Sequence, residues 1–190
     1  MIPIYDVTPL HDNELTAVAL VDAPAIERSW MAFQEQKQVK LSASPRRIVT
    51  GPLLIPDQLI YREQDNMKFY LRYTKEAIEH LHLDFMRNRR TSEINLMHNS
   101  DAKPNGVFIY EIFQADEDRG IMRPAGFEDL PDGTLFASAK IENDETWAGV
   151  ENGDFIGFSI EAWVTPVKVE QVDHEFALKF CQAIEALVNK

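Results

Sequence analysis

Cysteine is nearly absent from this chain of 190 residues, in which Cys181 is the single example. One cysteine excludes an intramolecular disulfide framework and a zinc site built on thiolates. The sequence also lacks the run of about 18 apolar residues that a membrane span requires, and its N-terminus lacks a signal-peptide pattern. We therefore expect a protein of a reducing cytoplasm that does not act in a membrane.

Basic runs are missing as well. The chain has 19 Lys and Arg against 31 Asp and Glu, which gives a formal net charge of −12. Nucleic acid is not an expected partner, because binding a phosphate backbone requires a positive patch. What the chain does contain is a hydrophobic fraction of 45%, enough to fill the core of one sizeable domain.

The sequence pattern divides the chain into three parts. Residues 1–45 predict an N-terminal arm and linker with one strand, residues 46–170 predict a β-rich domain, and residues 171–190 predict a C-terminal amphipathic helix. Strand signals occur in runs and do not alternate with helices, and Thr74 and Asn143 are candidate N-caps of two helices. The predicted fold is mainly β (α+β), an antiparallel barrel or sandwich of about six or seven strands with peripheral helices.

Ser159 lies in an apolar, aromatic stretch that is typical of a long strand. Alternation places Gly157, Ser159 and Glu161 on one face, and a normal buried apolar set on the other. A glycine beside the hydroxyl lets other atoms approach closely. The simpler interpretation is a small polar residue on a half-exposed strand.

His98 stands apart from the other four histidines. It ends the apolar strand predicted over 94–97 and precedes a turn, which is a position where the scaffold holds a side chain and leaves one side open. The alternative is a partly buried histidine with satisfied hydrogen bonds. His80 and His82 lie two apart on a predicted helix, so they point to different faces and do not form a metal site with Asp84. We expect no metal and no cofactor.

A serine nucleophile requires a base, and the base requires an orienting group. Glu111 is one candidate, because a carboxylate is unusual inside the apolar strand 107–113. If this strand returns from His98 as a hairpin, Glu111 shares the face of His98 but lies about 13 Å along. Glu161 is the second candidate, about 7 Å from Ser159 on the same strand face.

The order and spacing of several short segments resemble the XkdF-like serine protease family of tailed phages and prophages, which is related to the prohead proteases that mature capsids. The resemblance covers roughly residues 15–165. It rests on residues 21–26 (VDAPAI), 51–57 (GPLLIPD), 96–99 (LMHN), 107–111 (VFIYE), 132–134 (DGT), 144–147 (DETW) and 157–160 (GFSI).

The resemblance implies a barrel like that of herpesvirus assemblin, with His98 as general base and Ser159 as nucleophile. The family's acidic residue in the strand after the histidine matches Glu111, and Glu161 remains the second candidate for this third position. The implied activity is that of a serine endopeptidase that cuts scaffold or capsid-protein bonds inside the assembling procapsid, in the cytoplasm of the bacterial host.

The same resemblance implies partners. These are the scaffold protein and the major capsid protein of the phage, and a second copy of the chain paired through the C-terminal helix, as assemblins pair through a helix. The alternative is a non-catalytic capsid-assembly or scaffold-binding module on the same fold, with that helix as its binding surface. The presence of both Ser159 and His98 favours the enzyme.

Overall fold

Three β-sheets and two α-helices make up the part of the chain that the computed structural model describes, which comprises residues 2–24, 42–43, 46–64 and 66–169. The strands are β1 (Ile4–Val7), β2 (Glu14–Val21), β3 (Ser42–Ala43), β4 (Ile48–Leu54), β5 (Ile60–Gln64), β6 (Met67–Tyr73), β7 (Ile94–Leu96), β8 (Val107–Gln114), β9 (Leu135–Ile141), β10 (Gly157–Trp163) and β11 (Val167–Lys168). The helices are α1 (Lys75–Arg87) and α2 (Asp144–Asn152), and a short 3-10 helix spans Arg90–Ser92.

The strand order is β11-β1-β6-β5 in the first sheet, β10-β2-β7 in the second and β3-β4-β9-β8 in the third. The mainly β prediction with peripheral helices is confirmed, but the barrel prediction is wrong, because none of these sheets closes on itself within the described residues. Two pairs, β1 with β6 and β2 with β7, run parallel. Parallel pairs require long crossover connections, which the prediction of an antiparallel barrel or sandwich did not include.

The predicted arm over 1–45 contributes strands to all three sheets and not the one strand predicted, with β3 at the edge of the third sheet. Strand β1 lies between β6 and β11, and β2 is the central strand between β10 and β7. Residues 25–41 of the predicted linker lie outside the described residues, as do Cys181 and the predicted C-terminal helix.

Both predicted N-caps are confirmed. The Thr74 hydroxyl accepts a hydrogen bond from the Ala77 N–H at the start of α1, and the Asn143 side chain accepts one from the Thr146 N–H at the start of α2. Each bond satisfies one of the free N–H groups of a first helical turn. Helix α2 ends at Gly153, whose φ of 84° is a left-handed conformation that glycine adopts without steric cost.

One hydrophobic core joins all three sheets to α1. It includes buried side chains from β2, β4, β6, β9 and β10 and the inner face of α1, among them Leu20, Leu53, Leu81, Phe85, Leu135 and Phe158. A smaller cluster around Phe136 packs under the loop that precedes β9. In the described ranges, no helix is long and apolar enough to cross a membrane.

Candidate active site

The second sheet carries the candidate residues on one of its faces. In the ladder, Ser159 on β10 pairs with Ala19 on β2, and Ala19 pairs with Asn95 on β7. Residues paired across a sheet point to the same side. Ser159 and Asn95 therefore share a face, with their Cα atoms about 10 Å apart at twice the usual strand spacing.

Two alanines on the central strand leave room on this face. Glu161 on β10 pairs with Ala17, and Ala19 is the next residue of β2 on the same side. Neither alanine has a side chain beyond Cβ, so groups on the outer strands can meet above β2. The Asn95 side chain does so by donating from Nδ2 to Oε1 of Glu161 at 2.7 Å.

His98 reaches the same carboxylate from the end of β7. Its Nδ1 lies 3.2 Å from Glu161 Oε1, and the side chains are 44% and 33% exposed. A carboxylate only accepts hydrogen bonds, so this contact places the ring proton on Nδ1 and leaves the Nε2 lone pair free. The arrangement is that of a base held by an acidic orienting group.

A tight turn sets the position of His98. The Asn99 N–H donates to the Leu96 carbonyl at 3.0 Å, and the two central residues, Met97 and His98, have φ angles of 54° and 58°. Left-handed backbone at residues other than glycine costs about 1–2 kcal/mol each. The Met97 N–H bonds the Leu20 carbonyl at 2.9 Å, which ties this strained turn to β2.

The Ser159 hydroxyl lies on the sheet that also carries Glu161, but it makes no hydrogen bond to His98 in the described residues. Ser159 is 7% exposed. It borders a cavity of about 10 Å³ between β10 and β4, which has room for about one water molecule. The cavity is lined by Leu53, Leu54, Ile60, Arg62, Tyr73, Phe158, Ser159 and Ile160.

The structure separates the two acidic candidates. Glu111 lies on β8 in the third sheet, where the Ser138 hydroxyl donates to its Oε2 at 3.0 Å, and Ser138 in turn bonds the Thr50 hydroxyl. The hairpin expected between His98 and β8 does not form, because β7 pairs with β2 and β8 pairs with β9. His98 is therefore brought to Glu161 and not to Glu111.

Asn95 was not among the site residues predicted from the sequence, although one feature of the sequence pointed to it. It is a polar residue in the middle of an apolar strand, and it is 1% exposed in the structure. Buried polar side chains require hydrogen-bond partners, so its position indicated a specific contact. No group of three or more His, Cys, Asp and Glu side chains in the described ranges is arranged to hold a metal ion.

The comparisons with known proteins give one match. No curated protein and no solved structure matched the chain. The family model described as "Putative phage serine protease XkdF" matches residues 35–168. That range covers more than half of the sequence and includes Asn95, His98, Ser159 and Glu161. The chain therefore belongs to the XkdF family of phage proteins that this model describes.

Proposed function

We propose that this protein is a serine endopeptidase of phage head assembly, with Ser159 as nucleophile, His98 as general base and Glu161 as the group that orients the base. The observation that carries the proposal is the contact of His98 Nδ1 with Glu161 Oε1 on the sheet that also carries Ser159. Such a contact favours the tautomer that carries its proton on Nδ1, so that Nε2 can accept a proton from a serine hydroxyl.

The first chemical step is acylation. The Ser159 hydroxyl oxygen attacks a peptide carbonyl, and its proton passes to Nε2 of His98. The C–N bond then breaks, and the departing amine takes that proton from His98. Glu161 remains ionised throughout and stabilises the imidazolium that forms between the two transfers.

The second step is hydrolysis of the acyl-enzyme. A water molecule gives a proton to Nε2 of His98 as its oxygen bonds the acyl carbon. The C–O bond to Ser159 breaks, and the serine oxygen regains the proton from His98, so a carboxylic acid is released and the enzyme is restored.

Ser159 and His98 must approach each other for this reaction. Catalytic hydrogen bonds are often long in unliganded enzymes and tighten when the substrate is bound. The His98 ring is 44% exposed, so its far side is not packed against other side chains of the described residues. We expect an extended substrate peptide to complete the contact.

The proposed substrates are the scaffold protein and the scaffold-like parts of the major capsid protein, cut inside the procapsid in the host cytoplasm. The net charge of −12 is compatible with basic scaffold segments. The decisive experiment co-expresses the chain with the scaffold protein of the same phage and measures intact masses, with Ser159→Ala and His98→Ala beside the native chain.

Cleavage by the native chain alone, with both variants folded and inactive, is the expected result. A fluorophosphonate probe that adds covalently to Ser159 of the native chain provides a second test. Equal cleavage by all three chains would contradict the proposed roles.

A second candidate function rests on the burial of Ser159 and the absence of a bond between it and His98 in the described residues. These features suit a non-catalytic module that binds scaffold protein through the same fold. Scaffold that is bound but left intact, together with no fluorophosphonate adduct, would establish this module in place of the protease.

A further inference from the structure

We infer that Asn95 is a positioning residue that holds the Glu161 carboxylate against His98; the inference rests on the proposed function. Asn95 and His98 donate to the same atom, Glu161 Oε1, at 2.7 and 3.2 Å. The shorter of the two bonds is the one from Asn95. It restricts the rotation of a glutamate side chain that is one-third exposed and would otherwise turn toward solvent.

The orientation of the Asn95 amide follows from chemistry. Glu161 only accepts hydrogen bonds, so the NH₂ group must face it, and Oδ1 points the other way. Oδ1 is buried and has no hydrogen-bond partner in the described part of the chain. A buried acceptor without a donor destabilises the fold, and leucine, of similar size, would fill this site without that penalty.

Asn95 therefore favours the geometry of the site at the expense of stability. Local departures from the best choice for folding are expected at functional sites. A second buried asparagine of this fold has partners on both sides of its amide. Asn13, also 1% exposed, donates to the Thr8 carbonyl at 2.8 Å and accepts from the Thr165 N–H at 2.9 Å.

The test compares Asn95→Leu with Asn13→Leu, which makes the same chemical change at a second buried asparagine that is not bonded to Glu161. The first measurement is the rate of fluorophosphonate labelling, beside the unfolding midpoint. Asn95→Leu is expected to unfold at the native midpoint or above it, and to react about 10- to 100-fold more slowly, because the base is no longer held in position. Asn13→Leu is expected to unfold earlier while the folded protein keeps its reactivity.

The second measurement does not depend on activity. Nitrogen-15 NMR of the histidine rings reports which ring nitrogen carries the proton, and the spectrum of His98→Gln identifies the His98 signals. We expect the Nδ1-protonated form of His98 to dominate in the native protein, and a mixture of both tautomers in Asn95→Leu. An unchanged tautomer together with an unchanged labelling rate in folded Asn95→Leu would overturn the inference.

The two measurements also separate this inference from the proposed function. A native chain that does not react with the probe, but whose His98 tautomer changes in Asn95→Leu, would support the positioning role and refute the protease. A native chain that reacts, with Asn95→Leu equally reactive and its His98 tautomer unchanged, would support the protease and refute the role of Asn95.

Discussion

At the scale of single residues, the choice between two glutamates decides how the site works. Glu111 was the first candidate in the sequence and Glu161 the second, and their contacts now differ. Glu161 accepts from His98 and Asn95, whereas Glu111 accepts from Ser138 in another sheet. The geometry therefore favours Glu161 as the orienting group.

Replacing Glu161 with glutamine should slow fluorophosphonate labelling of Ser159 by about 10²–10⁴-fold, because the amide lacks the charge that stabilises the imidazolium. Glu111→Gln is the matched control, since its amide oxygen still accepts from Ser138. The labelling rate of that variant should stay at the native value. A large loss in Glu111→Gln with none in Glu161→Gln would reverse the assignment.

The left-handed backbone conformation of Met97 and His98 could not be predicted from the sequence. Turns with two left-handed residues are usually signalled by glycine or asparagine, and neither occurs at these two positions. The bond from the Met97 N–H to the Leu20 carbonyl on β2 holds this conformation from outside the local segment. His98 was predictable as a candidate from its place at a strand end, but its backbone conformation was not.

At the scale of elements, local signals were sufficient for single strands and helices but not for their pairing. The face of β10 that carries Ser159 and Glu161 followed from alternation, and the starts of α1 and α2 followed from Thr74 and Asn143. The parallel pairing of β7 with β2 joins segments more than 70 residues apart. No local pattern specifies such a register, and it is this pairing that brings Asn95 and His98 to Glu161.

Helix α1 links the stability of the fold to pH through His82. Burial lowers the pKa of the His82 ring from its usual value near 6.5, and hydrogen bonding to the Ile112 backbone opposes the shift. The unfolded chain therefore binds a proton at a pH where the folded chain does not. The contribution of neutral His82 to the free energy of unfolding is therefore fully present above about pH 6.5. It is lost as the pH falls from there toward the lowered pKa.

We expect His82→Gln to flatten this pH dependence, because glutamine does not titrate. The measurement is the free energy of unfolding in urea between about pH 7.5 and 5. His11→Gln removes a fully exposed histidine and should leave the slope as it is in the native chain. An identical slope in native protein and His82→Gln would show that His82 is not the group responsible.

At the scale of the whole molecule, the segment before residue 25 belongs to the core of the fold. The apolar side chains Leu15, Val18, Leu20 and Val21 of β2 are at most 3% exposed. Each contributes about 1.5–3 kcal/mol when it is fully buried. Their sum is comparable with the total stability of an ordinary domain, about 5–15 kcal/mol.

A single cut within residues 25–41 should therefore leave both pieces of the protein associated. The experiment places the recognition site of a specific protease in this range, cuts the folded chain and follows both pieces by size-exclusion chromatography and thermal unfolding. We expect co-elution and one cooperative transition, because β2 stays between β10 and β7. A chain lacking residues 1–24 is the control and should show no cooperative transition. Separation of the pieces, with cooperative unfolding of the larger one, would contradict this account.

Because the residues of the site lie far apart in the sequence, they are synthesised at different times. His98 and Glu161 are 63 residues apart in the sequence, and Ser159 lies two residues before Glu161. At about 5–20 residues per second, roughly 3–13 s of translation separate the emergence of the proposed base from that of its partner and of the nucleophile. A nascent chain thus carries β2 and His98 before it carries Ser159, the proposed nucleophile. Under the proposed function, the enzyme is inert while the ribosome is making it.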